Sequence, residues 1–383
     1  MNTKNPFSNP YHNHNPRQMF AQLPFEIVDH IVGYLAFKDV RSIAHVCSAF
    51  RLPAQVRLFR TIQVLAGSFT AYIDRIESLL SSPHLLQYPS CLRVESFTRG
   101  SMQHPSLQLL LNHLPVMSRL RDVYISLESG DYSRVLSALE SLVSRREITL
   151  SLGVNLAPDL RISNNPLPIH TLELWVDTSN HQVATRLIQK CSQSLRHLRL
   201  FLRDNNPPPL PFLPHLSEFF AYANLHKVCN DLDLMSLFPF LDQHPTITRL
   251  ILSYQFTLSG QPPPNLLPNL QYLQATPPIV ERLIPGRPVN DIYAINPSRI
   301  AYCFPADIML RPFRQSFVPV TSLEISASTH FPNDSVINMV RFLPKLRKFT
   351  LRWTCNYEVR RLFEGSRYSE LIGTRNLSPW KTY

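Results

Sequence analysis

The residues able to do chemistry are present in number but not in arrangement. The chain has 14 histidines and six cysteines, at Cys47, Cys91, Cys191, Cys229, Cys303 and Cys355. The cysteines are scattered with no C-x-x-C pair, so tetrahedral zinc binding has no ligand spacing to work with. They read instead as reduced thiols of an intracellular protein. His12-x-His14 lies in a polar stretch and reads as solvated. Asp231-x-Asp233 places two carboxylates at the start of an apolar stripe, where capping of a helix is the expected role. No H-E-x-x-H, G-x-S-x-G or P-loop pattern occurs, and only nine glycines are available for phosphate-cradling loops. We expect no catalytic residue, no metal and no cofactor.

The charge is one-sided: 38 Lys and Arg against 27 Asp and Glu, a formal +11. A basic chain invites a nucleic-acid partner. Here the basic residues are spread out, with short clusters at Arg145-Arg146, Lys345 to Lys348 and Arg360-Arg361, and no nucleic-acid motif accompanies them. A basic solvated surface is the expectation. A basic stripe with interleaved aromatics would favour a nucleic-acid-associated protein instead. Arg196, Arg199, Arg249 and Arg347 fall at outward strand positions, where they are ordinary solvent-facing arginines or partners for an acidic or phosphorylated segment.

Of the chain, 44% is hydrophobic, enough for a large core. No run of about 18 apolar residues occurs, so no membrane span is expected. Residues 1–20 are rich in Asn and Pro, lack an apolar signal-like segment and read as a disordered tail. The following stretch, Leu23 to Arg60, is helical in pattern. Pro24 and Glu26 suit a helix start. Ile27, Val28, Ile31 and Leu35 then form one stripe. A second segment opens near Asp39 with Val40, Ile43, Ala44 and Cys47, and a third runs from Ser48 through Phe50, Val56, Leu58 and Phe59. Three helices in about 40 residues cannot bury much core of their own. Such a segment suits docking on a partner that completes its apolar surface.

Leu23-Pro24, Glu26-Ile27, Ile31, Tyr34-Leu35, Asp39, Val46-Cys47, Phe50-Arg51 and Phe59 resemble the F-box motif. The likeness covers residues 21–61. One departure is Phe37, where the family usually has Ser or Thr before Lys38-Asp39. The resemblance implies a non-catalytic adaptor that docks on a Skp-type protein and through it on a cullin–RING ubiquitin ligase. The implied docking residues are Leu23, Pro24, Ile27, Ile31, Leu35, Val40, Val46, Cys47 and Phe50, of which a subset must pack the motif itself.

After Arg60 a phrase spaced L-x-x-L-x-L recurs. Copies are Leu120-Val123-Ile125, Ile169-Leu172-Leu174, Leu195-Leu198-Leu200, Ile247-Leu250-Leu252, Val320-Leu323-Ile325 and Leu346-Phe349-Leu351. Weaker ones begin at Leu216, Leu270 and Val289, and alternating strands at Leu92 and Ile148. The apolar positions point inward and the residues between them outward. Helical stripes lie between phrases, at Ser106 to Leu114, Tyr132 to Val143, His181 to Cys191, Leu232 to Leu241 and Pro332 to Leu343. Two Pro-rich stretches, Asn205 to Pro214 and Ser259 to Pro268, read as stiff loops, and Pro285-Gly286 as a turn.

Strands alternating with helices at roughly 20–30 residues imply an α/β fold with a parallel sheet. Residues 62–365 resemble the divergent leucine-rich-repeat-like solenoids that follow an F-box, with about nine to eleven repeats and a tail at 366–383. Leu266 to Thr276 and Arg282 to Val289 resemble phrases of fungal, mushroom-type F-box proteins. The expectation is the substrate receptor of an SCF-type ligase, cytoplasmic or nuclear, with a protein substrate and without membrane or nucleic-acid partners. A scaffold with an F-box but no ligase is the alternative.

Overall fold

The computed structural model describes residues 23–46, 48–65, 69–96, 105–127, 132–142, 147–153, 160, 162, 164–204, 207–223, 232–253, 255–295, 311–327 and 342–353. The chain divides into two compact units, residues 1–175 with 179–195, and residues 176–178 with 196–383. Both expected tails, Cys47, Asp231 and most of the helix expected at Pro332 to Leu343 lie outside the described residues.

The first unit opens with α1 (Phe25–Tyr34), α2 (Phe37–Ile43) and α3 (Ser48–Arg60). The chain passes from α3 directly into β1 (Thr61–Leu65), followed by α4 (Phe69–Leu80), β2 (Cys91–Ser96), α5 (Pro105–Asn112), β3 (Asp122–Leu127), α6 (Tyr132–Glu140), β4 (Glu147–Leu152), β5 (Thr171–Val176) and α7 (His181–Cys191). β1 to β5 lie side by side in chain order and pair in parallel. The second unit carries β6 (His197–Leu202), β7 (Glu218–Ala223), β8 (Leu232–Asp233), α8 (Phe238–Asp242), β9 (Arg249–Leu252), β10 (Phe256–Thr257), β11 (Tyr272–Ala275), α9 (Pro277–Leu283), β12 (Asp291–Ile295), β13 (Ser322–Ala327) and β14 (Lys348–Trp353). Its sheet runs β6-β7-β9-β11-β12-β13-β14, again parallel and in chain order, while β8 and β10 form a separate short pair.

The strands fall where the recurring phrase predicts, and β5, β6, β9, β11 and β12 alternate buried and less buried residues throughout. Leu172, Leu174, Leu198, Leu200, Leu250, Leu273 and Ile292 are fully buried. Each such side chain contributes about 1.5–3 kcal/mol of burial. The helices supply the facing layer, as with Leu107 and Leu110 of α5 and Leu187 and Ile188 of α7.

Polar groups keep consecutive strands in step. The residue just before a strand donates its backbone N–H to the equivalent carbonyl one strand back: Ser90 to Arg60, Ser217 to Arg196, Thr248 to Ser217, Gln271 to Thr248, Asn290 to Gln271, Thr321 to Asn290. Where that residue carries a hydroxyl, the side chain donates to the same carbonyl, as in Ser90, Ser217, Thr248 and Thr321, at 3.1–3.3 Å. A backbone ladder reinforced by hydroxyls leaves few exposed donors at these strand entries.

One expectation needs correction. The stretch Leu232 to Leu241 is not one helix: Leu232–Asp233 pairs with β10, a 3₁₀ turn covers Leu234–Leu237, and α8 holds only Phe238–Asp242. Asp233 is the reason for the break, because its carboxylate accepts the Met235 N–H at 3.0 Å and the Ser259 hydroxyl, which caps a new turn. Pro277-Pro278 begins α9, since proline costs nothing at positions whose N–H has no helical partner. β1 also follows the phrase, as Phe59-Ile62-Val64, but Phe59 is shared with the helical segment before it.

Both Pro-rich stretches are fastened by buried polar side chains. His244 is wholly buried: its Nε2 accepts the Leu213 N–H at 2.7 Å and its Nδ1 bonds the Phe240 carbonyl at 2.5 Å. Burial lowers its pKa, so the neutral ring that both bonds require is favoured. Arg287, also buried, donates to the carbonyls of Pro263, Leu266, Leu283 and Pro285 at 2.6–2.9 Å. It thereby clamps the second stretch to the turn at Gly286, whose φ of 74° is open to glycine without strain.

Candidate docking surface

α1 to α3 build a small core of Val28, Val32, Val40, Phe50 and Ala54, with Leu23, Ile31, Leu35, Ile43, Ala44 and Leu58 packed around it. α1 starts at Pro24, whose carbonyl accepts the N–H groups of Ile27 and Val28 at 3.1 and 3.2 Å. Glu26 in the first turn suits the positive end of the helix. At its other end Arg57 of α3 donates to the Leu35 carbonyl at 3.2 Å, tying α3 to the α1–α2 turn.

α1 has two apolar stripes. Val28, Val32 and Leu35 turn into the core. Ile27, Ile31 and Tyr34 repeat the same 4-and-3 spacing one residue, roughly 100°, around the helix. Ile27 keeps 48% of its surface exposed and Tyr34 80%. Of the residues expected to dock, Pro24 and Val46 are exposed, Val46 at 51%, while Leu23, Ile31 and Leu35 are part-buried. Val40 and Phe50 are buried in the segment's own core, so they shape the surface rather than form it. Phe25, Tyr34, Phe37 and Leu52 are exposed apolar residues that the stripe pattern did not single out as docking residues.

α2 begins at Phe37 after Ala36, with no side-chain cap. In place of a cap, the Phe37 ring lies 5.0 Å from the guanidinium of Arg75 on α4. The same guanidinium lies 5.8 Å from the Phe59 ring, and its Nη2 donates to the Thr61 carbonyl at 3.1 Å. Arg75 thus joins α2, the end of α3 and the start of β1 at one point. Cation–π contacts of this kind contribute about 0.5–1 kcal/mol at exposed sites.

Residues 20–52 match the F-box domain family. The chain carries an F-box domain. F-box domains commonly bind Skp-type adaptors, and proteins that carry them are typically non-catalytic adaptors in SCF ubiquitin-ligase complexes. No curated protein matches the chain.

Beyond the F-box, each unit presents polar side chains at its outward strand positions. In the first unit Arg93 bonds Glu95 at 2.5 Å and lies 5.0 Å from the Tyr124 ring. Burial, ahead of the carboxylates of Glu173 and Glu95, raises the pKa of the Tyr124 phenol. In the second unit Glu218 is 7% exposed at the head of β7, between His197 of β6 and Arg249 of β9. Arg199 and Arg249 each approach its carboxylate at 3.2 Å, and His197 at 3.7 Å. His197, and then Arg199, hold the Glu218 carboxyl down to about 2 against the opposing effect of burial. Arg249 also stacks over Tyr272, its guanidinium 4.3 Å from the ring. Of the four arginines at outward positions, Arg199 and Arg249 are therefore brought together around one carboxylate, while the side chains of Arg196 and Arg347 are exposed. Among the described residues no cluster of three His, Cys, Asp or Glu is arranged to hold a metal ion, and no helix is long and apolar enough to cross a membrane.

Proposed function

We propose that this chain is the substrate-receiving subunit of an SCF-type ubiquitin ligase, with the F-box at residues 21–61 and a divergent leucine-rich-repeat-like solenoid over residues 62–365. The observation that carries the reading is the surplus of apolar surface on an F-box whose core is already closed. Ile27, Ile31 and Tyr34 form a stripe that the chain's own core leaves uncovered or half covered. Pro24, Leu23, Leu35, Val46 and Cys47 complete the proposed contact with a Skp-type adaptor, and Val40 and Phe50 hold it in shape. Exposed anchors of this kind supply most of the affinity of a protein interface.

The repeat reading is supported by parallel strands in chain order, helices between them and the strand-to-strand hydroxyl ladder. Its role is to hold a protein substrate near a ubiquitin-loaded enzyme, so that tethering replaces free encounter. No bond chemistry is assigned to the chain. The proposed site of action is the cytoplasm or nucleus, with residues 1–20 and 366–383 as tails.

Purification of the tagged full chain from cells tests the assembly. Recovery of a Skp-type adaptor together with a cullin supports a ligase subunit. Adaptor without cullin points to a scaffold, and neither partner overturns the proposal.

A further inference from the structure

The outward positions of a solvated sheet face are normally polar, and in one row of the second unit Gln274, Glu324 and Thr350 are, with Tyr293 the single ring among them. β6, β7 and β9 break this pattern. Phe201, Phe220 and Tyr222 stand at outward positions, each half-buried, with Ile251 beside Phe220 in the register. Their rings touch: Phe201 lies 5.4 Å from Phe220 and 6.0 Å from Tyr222, and the Phe220 and Tyr222 planes are 3° apart. The inward residues of the same strands, Leu198, Leu200, Phe219, Ala221 and Leu250, are fully buried and complete the core without them.

Next to this aromatic patch sit charges of mainly one sign. Within residues 196–204, 217–223 and 248–253 there are four arginines, Arg196, Arg199, Arg203 and Arg249, against two carboxylates, Glu218 and Asp204. Glu218 is shared by two guanidiniums, and Asp204 accepts the Thr178 N–H at 2.6 Å. Positive charge is thus in excess beside an apolar patch.

We propose that the outward face of β6, β7 and β9 binds an extended protein segment in which an acidic side chain neighbours an aliphatic or aromatic one. The apolar side chain would lie on Phe201, Phe220, Tyr222 and Ile251, and the carboxylate beside Arg199 and Arg249. The inference rests on the substrate-receiver reading and names the chemistry of its substrate. Aromatics and arginines on a sheet face also suit single-stranded nucleic acid. The charges decide against it. A phosphate chain needs a continuous basic track, whereas Glu218 is fixed within this face, and Asp291 and Glu324 lie on the strands beyond.

The test is selection of random phage-displayed peptides on the immobilised full chain, followed by fluorescence anisotropy with a selected peptide. The expected peptides carry Asp or Glu within two positions of an aliphatic or aromatic residue. Binding should weaken at least about tenfold in Phe220→Ala and in Ile251→Glu, and on replacement of the peptide's acid by Lys. Circular dichroism melting and adaptor binding, measured on the same variants, should match wild type. Selected peptides without an acid, binding unchanged in Phe220→Ala and Ile251→Glu, or no saturable peptide would each overturn the proposal, as would displacement of the peptide by oligothymidylate. Failure of wild type to bind the adaptor would instead count against the ligase reading, and is read separately.

Discussion

The F-box and the strands after it differ in what they do with apolar side chains. Three helices close a small core of Val28, Val32, Val40, Phe50 and Ala54 and leave Ile27, Tyr34, Phe37 and Val46 about half exposed or more. The strands bury their inward residues nearly completely and gather outward rings into one cluster at Phe201, Phe220 and Tyr222. The difference teaches where to look for partners. In a segment too short to use its own apolar surface, the surplus is the binding feature. In a segment with a complete core, the outlying aromatics are.

If the strand region is self-sufficient, its stability should hang on internal pins, and the sharpest break should come at Arg287. Arg287→Ala takes the guanidinium donor from four carbonyls in buried or part-buried bonds. A loss of about 3–5 kcal/mol is expected in urea unfolding. Arg287→Lys should recover only part of it, because an ammonium lacks the guanidinium fork. A loss under about 1 kcal/mol would mean that the two loops it clamps hold themselves.

Glu218→Gln comes next, at about 2 kcal/mol near neutral pH. The folded carboxyl is held down to about 2 from a usual 4.5. Its stabilisation is therefore fully present above about pH 4.5 and is lost as pH falls through that range toward 2. Wild type and Glu218→Gln should converge in stability over the same interval. A difference that stays constant from pH 7 to 3 would contradict the ion-pair account.

Arg75→Ala should cost about 1 kcal/mol, the sum of a shared cation–π contact and one hydrogen bond. Hydrogen exchange should rise in α2 and at the α3–β1 junction, with little change in β3 to β5. Uniform exchange across the first unit would show that Arg75 is no joint. The smallest effect on stability belongs to Ile27→Asp and Val46→Asp, within about 0.5 kcal/mol, since neither side chain is in the core.

How far the sequence could be read follows from which signals are periodic. Strand positions were legible because the phrase ending at Ile125, Leu174, Leu200 and Leu252 recurs. β1 was not, because Phe59 serves both the end of α3 and the first phrase. The division of α1 into a covered and an uncovered stripe was hidden for a different reason. Ile27, Val28, Ile31 and Leu35 read as one broad apolar face, and only the packing of Val40 and Phe50 shows which half is covered. The Glu218 cluster and the aromatic patch have no local signal at all. They join residues about 20 to 30 apart through strand register, which the spacing of apolar residues does not report. The break at Asp233 depends on Ser259, distant in sequence, and was equally out of reach.

The central claim is that the uncovered stripe of the F-box is a docking surface. Isothermal titration of a purified Skp-type adaptor into the full chain, wild type and Ile27→Asp/Val46→Asp, tests it most directly. The account predicts saturable binding by wild type and at least about a hundredfold weaker binding by the variant, with both unfolding at the same urea concentration. Equal binding by the two, or no binding by wild type, would contradict it.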